Sequence, residues 1–170
     1  MTPLPTAVDA SAIGLVGWRI DVRKHAASWD SGIGAEVAGG RWNPKGVKAV
    51  YCSLDPATCI IEVAVHTGFK VLDTQPHVLT SFDVSADATL LVVRPDDVPN
   101  PAWLHGGTPS AHQQAFGADL LSRHDFVIFP SAVSKRSWNL VFSPDAAGSR
   151  YAMRAQEALA VDTRLNPPAP

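Results

Sequence analysis

Three charged residues of this sequence stand where apolar residues or glycines surround them, and their types suggest ligand chemistry. Arg19 interrupts the apolar run GWRIDV, Arg41 lies in the glycine-rich stretch GGRWNPKG, and Glu62 brings a carboxylate into TCIIEVAVH. A guanidinium inside an apolar strand is costly unless its charge is paired. Guanidinium forks suit a pyrophosphate, and a carboxylate suits a ribose hydroxyl.

Hydroxyl and aromatic groups complete this set. Tyr51 and Ser53 alternate along a predicted strand, so their side chains share one face. Ser131 follows a proline at the end of FVIFPS. A tyrosine ring can stack on a flat heterocycle. Together with the two arginines and the glutamate, these residues suit an anionic, sugar-containing ligand.

Taken alone, each residue also fits a structural role, because structural networks hold buried charge as well. Arg19 would then be half of an ion pair, and Tyr51 a core aromatic residue with a satisfied hydroxyl. Ser131 would be a turn residue, and Glu62 the exposed position of a buried helix. His66 stands four residues after Glu62 and can share its helix face, but no second histidine follows at metal-ligand spacing. The sequence also lacks an acidic cluster for magnesium, so we predict no metal site. It has no supported Ser-His-Asp arrangement for nucleophilic catalysis either.

The elements that must position these residues carry recognisable ends. One predicted helix starts with Asp55 as N-cap and Pro56 at its first position, and it stops at Gly68. A second helix is predicted to start in the same way, with Thr108 as cap and Pro109 after it, and to run to residue 124. Strands are predicted at residues 15–22, 47–54, 77–85, 88–95, 125–133 and 138–144, with a closing edge strand over 155–165.

Strands outnumber helices and come in consecutive runs, which predicts an α+β domain with a largely antiparallel, sandwich-like core and flanking helices. This class argues against a dinucleotide-binding fingerprint in GIGAEVAGG, residues 32–40. The stretch lacks the third glycine at the required spacing, and no apolar strand precedes it. We interpret it as a flexible glycine-rich loop that lets backbone pass close to a ligand.

Length and composition set the outer limits. The chain has 170 residues, 46% of them hydrophobic and 18% charged, and a net charge of −2. These values predict one domain, at residues 15–165, with no bias toward nucleic acid or membrane. Residues 1–14 are interpreted as a loose arm without signal-peptide features, and residues 166–170 as a Pro-rich tail. Cys52 and Cys59 match no metal spacing and are predicted to be buried free thiols of a cytoplasmic protein.

Several stretches follow one another in an order typical of a known family: WRI, GGRWNPKGVKAVYCS, TCIIEVAVH, FPSAV and NLVFSP. On these stretches the chain resembles the RES-domain toxins of bacterial RES–Xre toxin–antitoxin pairs, which are named for their Arg, Glu and Ser residues. The resemblance runs from about Trp18 to Leu165, and VDTRL is similar to the family's closing Asp-x-Arg-Leu. FSP stands where Asn-Pro is commoner in the family, and the N-terminal arm is extra.

The resemblance implies a fold similar to diphtheria-type ADP-ribosyltransferases and an enzyme that consumes NAD without a metal. Arg19 and Arg41 would bind the NAD phosphates, and Tyr51 would stack on nicotinamide. Glu62 would engage the nicotinamide ribose, and Ser131 would help to position the ligand. The predicted catalytic residues are Arg19, Tyr51 and Glu62, and the predicted NAD-binding residues are Arg19, Arg41, Tyr51, Ser53 and Ser131.

The resemblance also implies a partner, an Xre-type antitoxin with a DNA-binding domain, and hence a hetero-oligomer. Because this chain is not basic, DNA contact is expected from the antitoxin and not from the toxin. The acceptor of ADP-ribose, whether a protein target, phosphate or water, stays open. So does an alternative from another class, a non-catalytic nucleotide-binding or protein-interaction module with the same fold.

Overall fold

The computed structural model describes residues 14–166 apart from the side chain of Thr163, and most of the predicted arm and tail lie outside this range. The described strands are β1 Val16–Val22, β2 Val50–Ser53, β3 His77–Val84, β4 Leu90–Val92, β5 Phe126–Pro130, β6 Trp138–Phe142 and β7 Tyr151–Ala158. The α-helices are α1 Ile33–Ala38, α2 Pro56–Thr67, α3 Phe69–Thr74, α4 Ala111–Arg123 and α5 Pro144–Ala147. Short 3₁₀ turns lie at Arg23–Ser28, Pro95–Asp97, Pro101–Leu104 and Thr163–Leu165.

The described strands form one sheet in the order β4-β5-β6-β2-β1-β3-β7. Every pairing is antiparallel except that of β4 with β5. The predicted α+β domain with a largely antiparallel core is therefore confirmed. The sandwich-like arrangement gives way to a single sheet, because β1 pairs with β2. That join is short, since Trp18 opposite Ser53 is its one paired position in the described chain.

Helix α2 begins and ends as its sequence predicts. The Asp55 carboxylate accepts a hydrogen bond from the Thr58 main-chain N–H at 2.9 Å, and Pro56 occupies the first turn. Gly68 has a φ of +81°, a conformation that side chains disfavour, and it ends the helix. The strong local signals explain this agreement.

Three local predictions were wrong. Helix α4 starts at Ala111 and not at the Thr108–Pro109 pair, because the Ser110 hydroxyl caps it by accepting from the Gln113 N–H at 3.2 Å. The glycine-rich stretch after residue 31 is also not a flexible loop, since its centre forms α1. Strand β7 begins earlier than predicted and ends at Ala158. No described helix combines the length and apolar character needed to cross a bilayer.

The sheet buries apolar side chains on both faces. On β5, Phe126 and Ile128 enter one cluster, whereas Val127 and Phe129 enter another, as the alternation of a strand requires. Helix α4 packs on the Val127 side. A third cluster attaches α2 and α3 to β1 and β3 through Ile20, Cys59, Leu72 and Leu79. The packing therefore attaches α2 to β1 and β3, and α4 to β5.

Strand β7 lies at one end of the sheet order and carries an irregularity. Ser81 pairs with Ala155 and Phe82 with Met153, so Arg154 is skipped in the pairing. The Arg154 guanidinium forms an ion pair with Asp83, with Nη2 2.6 Å from Oδ1. Most of the strand is exposed, as expected for a sheet edge.

Candidate functional site

An open cleft of about 1500 Å³ lies at the junction of β1, β2 and β6. Helix α2 forms one wall, and α1 with the loop that follows it forms another. The segment before α4 adds a third wall. The predicted site residues that line it are Arg19, Arg41, Tyr51, Ser53 and Glu62. Residues scattered over the sequence are thus brought together in one place.

The Glu62 carboxylate is held in the cleft by two hydrogen bonds to one of its oxygens. Its Oε1 accepts a hydrogen bond from Ser131 Oγ at 2.6 Å and another from Asn139 Nδ2 at 2.7 Å. Ser131 Oγ in turn accepts from the main-chain N–H groups of Val133 and Ser134, at 3.1 and 2.9 Å. Because those donors occupy the oxygen, the serine proton is directed at Glu62. Within residues 14–166, Oε2 of Glu62 has no hydrogen-bond partner and remains available to a ligand.

The Asn139 side chain is oriented by the neighbouring strand. Ser53 and Asn139 are paired positions of β2 and β6, and Ser53 Oγ donates to Asn139 Oδ1 at 3.1 Å. With its oxygen engaged by that hydroxyl, the amide presents its NH₂ group to Glu62. The buried Ser53 therefore acts on the carboxylate through Asn139.

Arg19 combines a structural ion pair with a place in the cleft. Its Nη2 lies 2.7 Å from Asp21 Oδ1, and its Nη1 donates to the main-chain oxygen of Tyr51 at 2.8 Å. Burial lowers the pKa of Arg19, whereas the Asp21 carboxylate, with contributions from Cys52 and Cys59, raises it, and the net pKa is raised. Burial likewise raises the pKa of the Asp21 carboxyl against the opposing effect of Arg19. The hydrogen bond to Tyr51 spans the place where β1 and β2 stop pairing.

Arg41 holds main-chain oxygens on the opposite wall. Its Nη1 donates to Trp103 O at 2.7 Å and to His105 O at 3.1 Å. Its Nε and Nη2 atoms have no partner among the described residues. These two atoms form the side-on edge of the guanidinium, which is the edge that binds carboxylates and phosphates with two hydrogen bonds.

The Tyr51 hydroxyl is built into the loop that carries Arg41. It donates to Asn43 Oδ1 at 2.7 Å and accepts from the Trp42 main-chain N–H at 2.9 Å. Burial raises the pKa of this hydroxyl above its ordinary value. Gly40 lies so close that a Cβ there would stand 2.5 Å from the Tyr51 oxygen. The ring lines the cleft, whereas the hydroxyl is a structural group.

Trp42 packs beneath the loop that carries Arg41. Its side chain is buried and stacks on Phe129, with ring centroids 4.3 Å apart. Helix α4 approaches so closely that a Cβ at Gly117 would lie 2.3 Å from the Trp42 main-chain oxygen. Buried Asn43 joins the loop to α1 by donating to Ala35 O at 2.9 Å. The loop after α1 is therefore an ordered part of the wall.

Ser131 is buried and reaches the site through Glu62, so among the predicted site residues it is a supporting group. Three further residues, Asn139, Asn43 and Asp21, belong to the site and were not predicted from the sequence. A signal existed for two of them. Asn139 is the polar residue inside the apolar strand WNLVF, and Asp21 stands two residues after Arg19 on the same face of β1. Nothing local marked Asn43 as the partner of Tyr51.

The remaining candidates have simpler positions. His66 is exposed and lines the cleft with Glu62. Cys52 and Cys59 are buried free thiols, as predicted, and burial raises the pKa of Cys59 to about 12. Among the described residues, no group of three or more His, Cys, Asp or Glu side chains could hold a metal ion.

A fixed carboxylate and two arginines line one cleft of a domain with a largely antiparallel sheet, and the arginines suit an anionic ligand. The family model of the RES domain matches residues 16–163. The chain therefore belongs to the RES domain family.

Two curated relatives and one solved structure agree with this assignment. The chain is 27% identical over 156 residues to the protein named Toxin Res of Yersinia enterocolitica, covering 87% of this chain and 97% of the relative. It is 28% identical over 145 residues to the Prs ADP-ribosylating toxin of Sphingobium sp., covering 77% and 85%. Its fold is similar to a chain of the M. tuberculosis MbcT–MbcA toxin–antitoxin complex, with a TM-score of 0.69, 22% identity and coverage of 85% and 83%.

Proposed function

We propose that this protein is an NAD-consuming toxin of a toxin–antitoxin pair, which cleaves the bond between nicotinamide and ribose and transfers ADP-ribose to a protein, phosphate or water. The observation that carries the proposal is the Glu62 carboxylate, whose Oε1 is held by Ser131 and Asn139 while Oε2 stays available in the cleft. A carboxylate fixed in this manner suits a reaction in which positive charge develops on a sugar.

The reaction requires a negative charge near the ribose, and the Glu62 carboxylate would supply it. When the glycosidic bond breaks, its electron pair leaves with neutral nicotinamide, and C1′ of the ribose becomes oxocarbenium-like. A nearby carboxylate stabilises this cation more than it stabilises the ground state, because the charge develops only in the transition state. The acceptor then forms a bond to C1′ and releases its proton when it is water or a hydroxyl group.

The shape and charge of the cleft support a dinucleotide substrate. The volume of about 1500 Å³ exceeds the roughly 300–1,000 Å³ of ordinary small-molecule pockets. Arg19 and Arg41 line it from different sides, and Arg41 keeps its side-on edge available for phosphate oxygens. Anchoring the diphosphate would hold the ribose in position for reaction beside Glu62. The Tyr51 ring, fixed by its hydroxyl, would stack on nicotinamide.

The named relatives support the same proposal. The Yersinia relative is named as a toxin, and the Sphingobium relative as an ADP-ribosylating toxin. The structural neighbour is a complex of a toxin with its antitoxin. We infer that this chain acts in the cytoplasm, where NAD is available, and that an Xre-type antitoxin neutralises it. DNA contact in such a complex would come from the antitoxin.

Release of nicotinamide tests the proposal directly. The purified protein is incubated with NAD, and free nicotinamide is measured by chromatography. Mass spectrometry of the second product, with and without phosphate and cell extract, identifies the acceptor. We expect release that stops when antitoxin is added. Binding of ADP-ribose without any release, under all of these conditions, would overturn the enzymatic function in favour of a nucleotide-binding module.

A further inference from the structure

Residues 105–109, which we call the strap, form a wall of the cleft that the sequence did not mark. Gly106, Gly107, Thr108 and Pro109 all line the cleft. Part of this segment is predicted as the start of a helix, yet the chain here is irregular and mostly exposed. The strap is therefore free to contact a ligand.

Two side chains fix the strap at its N-terminal end. Arg41 Nη1 donates to His105 O at 3.1 Å and to Trp103 O at 2.7 Å. The buried Gln113 of α4 donates from its Nε2 to the same Trp103 oxygen at 3.1 Å. The neighbouring Gln114 donates to Gly40 O at 2.9 Å and so fixes the loop that carries Arg41. Arg41 and the strap are thus held at a set distance from each other.

The strap carries main-chain donors that no described residue accepts from. Within residues 14–166, the N–H groups of Gly106 and Gly107 have no hydrogen-bond partner. A Cβ added at either glycine would meet no atom within 4 Å, so these positions are open. Glycines let a ligand approach the backbone closely, and successive N–H groups bind anions well.

We propose that the strap and Arg41 together bind the diphosphate of a nucleotide. The Nε and Nη2 atoms of Arg41 bind one phosphate group, and the N–H groups of Gly106 and Gly107, together with Arg19, bind the other. This assignment deepens the proposed function, on which it rests for the identity of the nucleotide. Arg41 then has two roles, because its Nη1 donates to the strap while its Nε and Nη2 bind the ligand.

A matched pair of substitutions at Gly106 tests the main-chain donor. Gly106→Pro removes the N–H, and Gly106→Ala keeps it. The residue before this position accepts a following proline, because His105 has φ −90° and ψ 157°, the extended conformation that proline favours in its predecessor. Gly106 itself is not among the glycines with positive φ.

Binding of ADP-ribose by calorimetry is the measurement. We expect Gly106→Pro to weaken the Kd at least about tenfold, as for loss of a hydrogen bond to a charged group, and Gly106→Ala to stay within about twofold. Equal affinity of the two variants would overturn the role of this N–H.

Amide resonances of the unmodified protein provide a second readout that does not depend on any variant. Titration with ADP should shift the ¹⁵N–¹H signals of Gly106 and Gly107, whereas adenosine, which lacks phosphate, should leave them nearly unchanged. Equal shifts with adenosine, or none with ADP, would overturn the diphosphate assignment. Neither experiment involves turnover. Intact nicotinamide release with no effect at the strap refutes this inference alone, and strap binding without release refutes the proposed enzyme.

Discussion

Ser131 and Glu62 are 69 residues apart in the sequence, yet Ser131 Oγ lies 2.6 Å from Glu62 Oε1. Asn139 donates to the same oxygen from a third element, at 2.7 Å. Both donors fall on one oxygen of the carboxylate, so its orientation is fixed while its second oxygen stays available. Oε1 thus orients the carboxylate and Oε2 can contact a ligand, and the first prediction tests this arrangement.

Glu62→Gln should reduce nicotinamide release at least about 100-fold, because the charge that stabilises the cation is lost while size and hydrogen bonding are kept. The Kd for ADP-ribose should stay within about twofold. The exposed Glu157→Gln on β7 serves as the matched control and should behave like the wild type. Wild-type release from a folded Glu62→Gln protein would disprove the assignment.

Asn139→Ala tests the support of that carboxylate. We expect kcat to fall about tenfold, the effect of one lost hydrogen bond to a charged group, with little change in the binding of ADP-ribose. Ser53→Ala should reduce kcat less, since Asn139 still reaches Glu62 when Ser53 Oγ is gone. Steady-state kinetics would contradict this order if Ser53→Ala proved the more damaging variant.

Arg41→Ala should weaken ADP-ribose binding by about 10- to 100-fold, because a charge-assisted pair is lost. Arg41→Lys should recover only part of the affinity, since one ammonium group cannot replace both edges of the planar guanidinium. Lys48→Ala, outside the cleft, is the control for loss of a positive charge. Calorimetry that shows unchanged affinity for Arg41→Ala would disprove its contact with the phosphates, and Arg41 would keep only its structural hydrogen bond to the strap.

Gly40→Ala should lower the free energy of unfolding by about 1–3 kcal/mol, because the new Cβ would lie 2.5 Å from the Tyr51 hydroxyl oxygen and 2.6 Å from Asn43 Oδ1. Gly34→Ala is the matched control in helix α1. A Cβ there meets nothing within 4 Å, and alanine favours a helix by about 1 kcal/mol over glycine. Urea unfolding curves should therefore move in opposite directions, and two curves that move together would contradict the packing described for Gly40.

The antitoxin should compete with NAD. A segment that covers the cleft could place an acidic side chain or a terminal carboxylate against Arg19 and Arg41, where the diphosphate would bind. The apparent affinity for antitoxin should then fall as ADP-ribose is raised, and the toxin alone should bind DNA weakly or not at all. An antitoxin affinity that stays constant up to saturating ADP-ribose would point to inhibition from a remote site.

The sequence predicts best what local chemistry determines. The ends of α2 followed from Asp55, Pro56 and Gly68, whose effects act within one turn of the helix. Glu62 and Arg19 stood out because a charge in an apolar run needs a partner or a function. Both line the cleft.

Contacts between segments far apart in the sequence could not be predicted. Asn139 meets Glu62 only because the register of β2 and β6 sets it opposite Ser53, and such registers are not readable from either strand alone. The strap was not predicted, because the Thr108–Pro109 pair is also typical of a helix start. The observed N-cap of α4 is Ser110. The order in the glycine-rich stretch depends on Asn43 and Gly117, which act through tertiary packing.

The skipped residue in β7 bears on how this protein behaves in concentrated solution. A long, flat sheet edge is a template for strands of other molecules, and it invites aggregation. Here the bulge at Arg154 interrupts the regular row of main-chain groups, and the charged Arg154 side chain of this edge strand pairs with Asp83 of the neighbouring β3. An irregular and charged edge pairs poorly with a second copy. The exposed strand can therefore remain at the surface while the molecule stays dispersed.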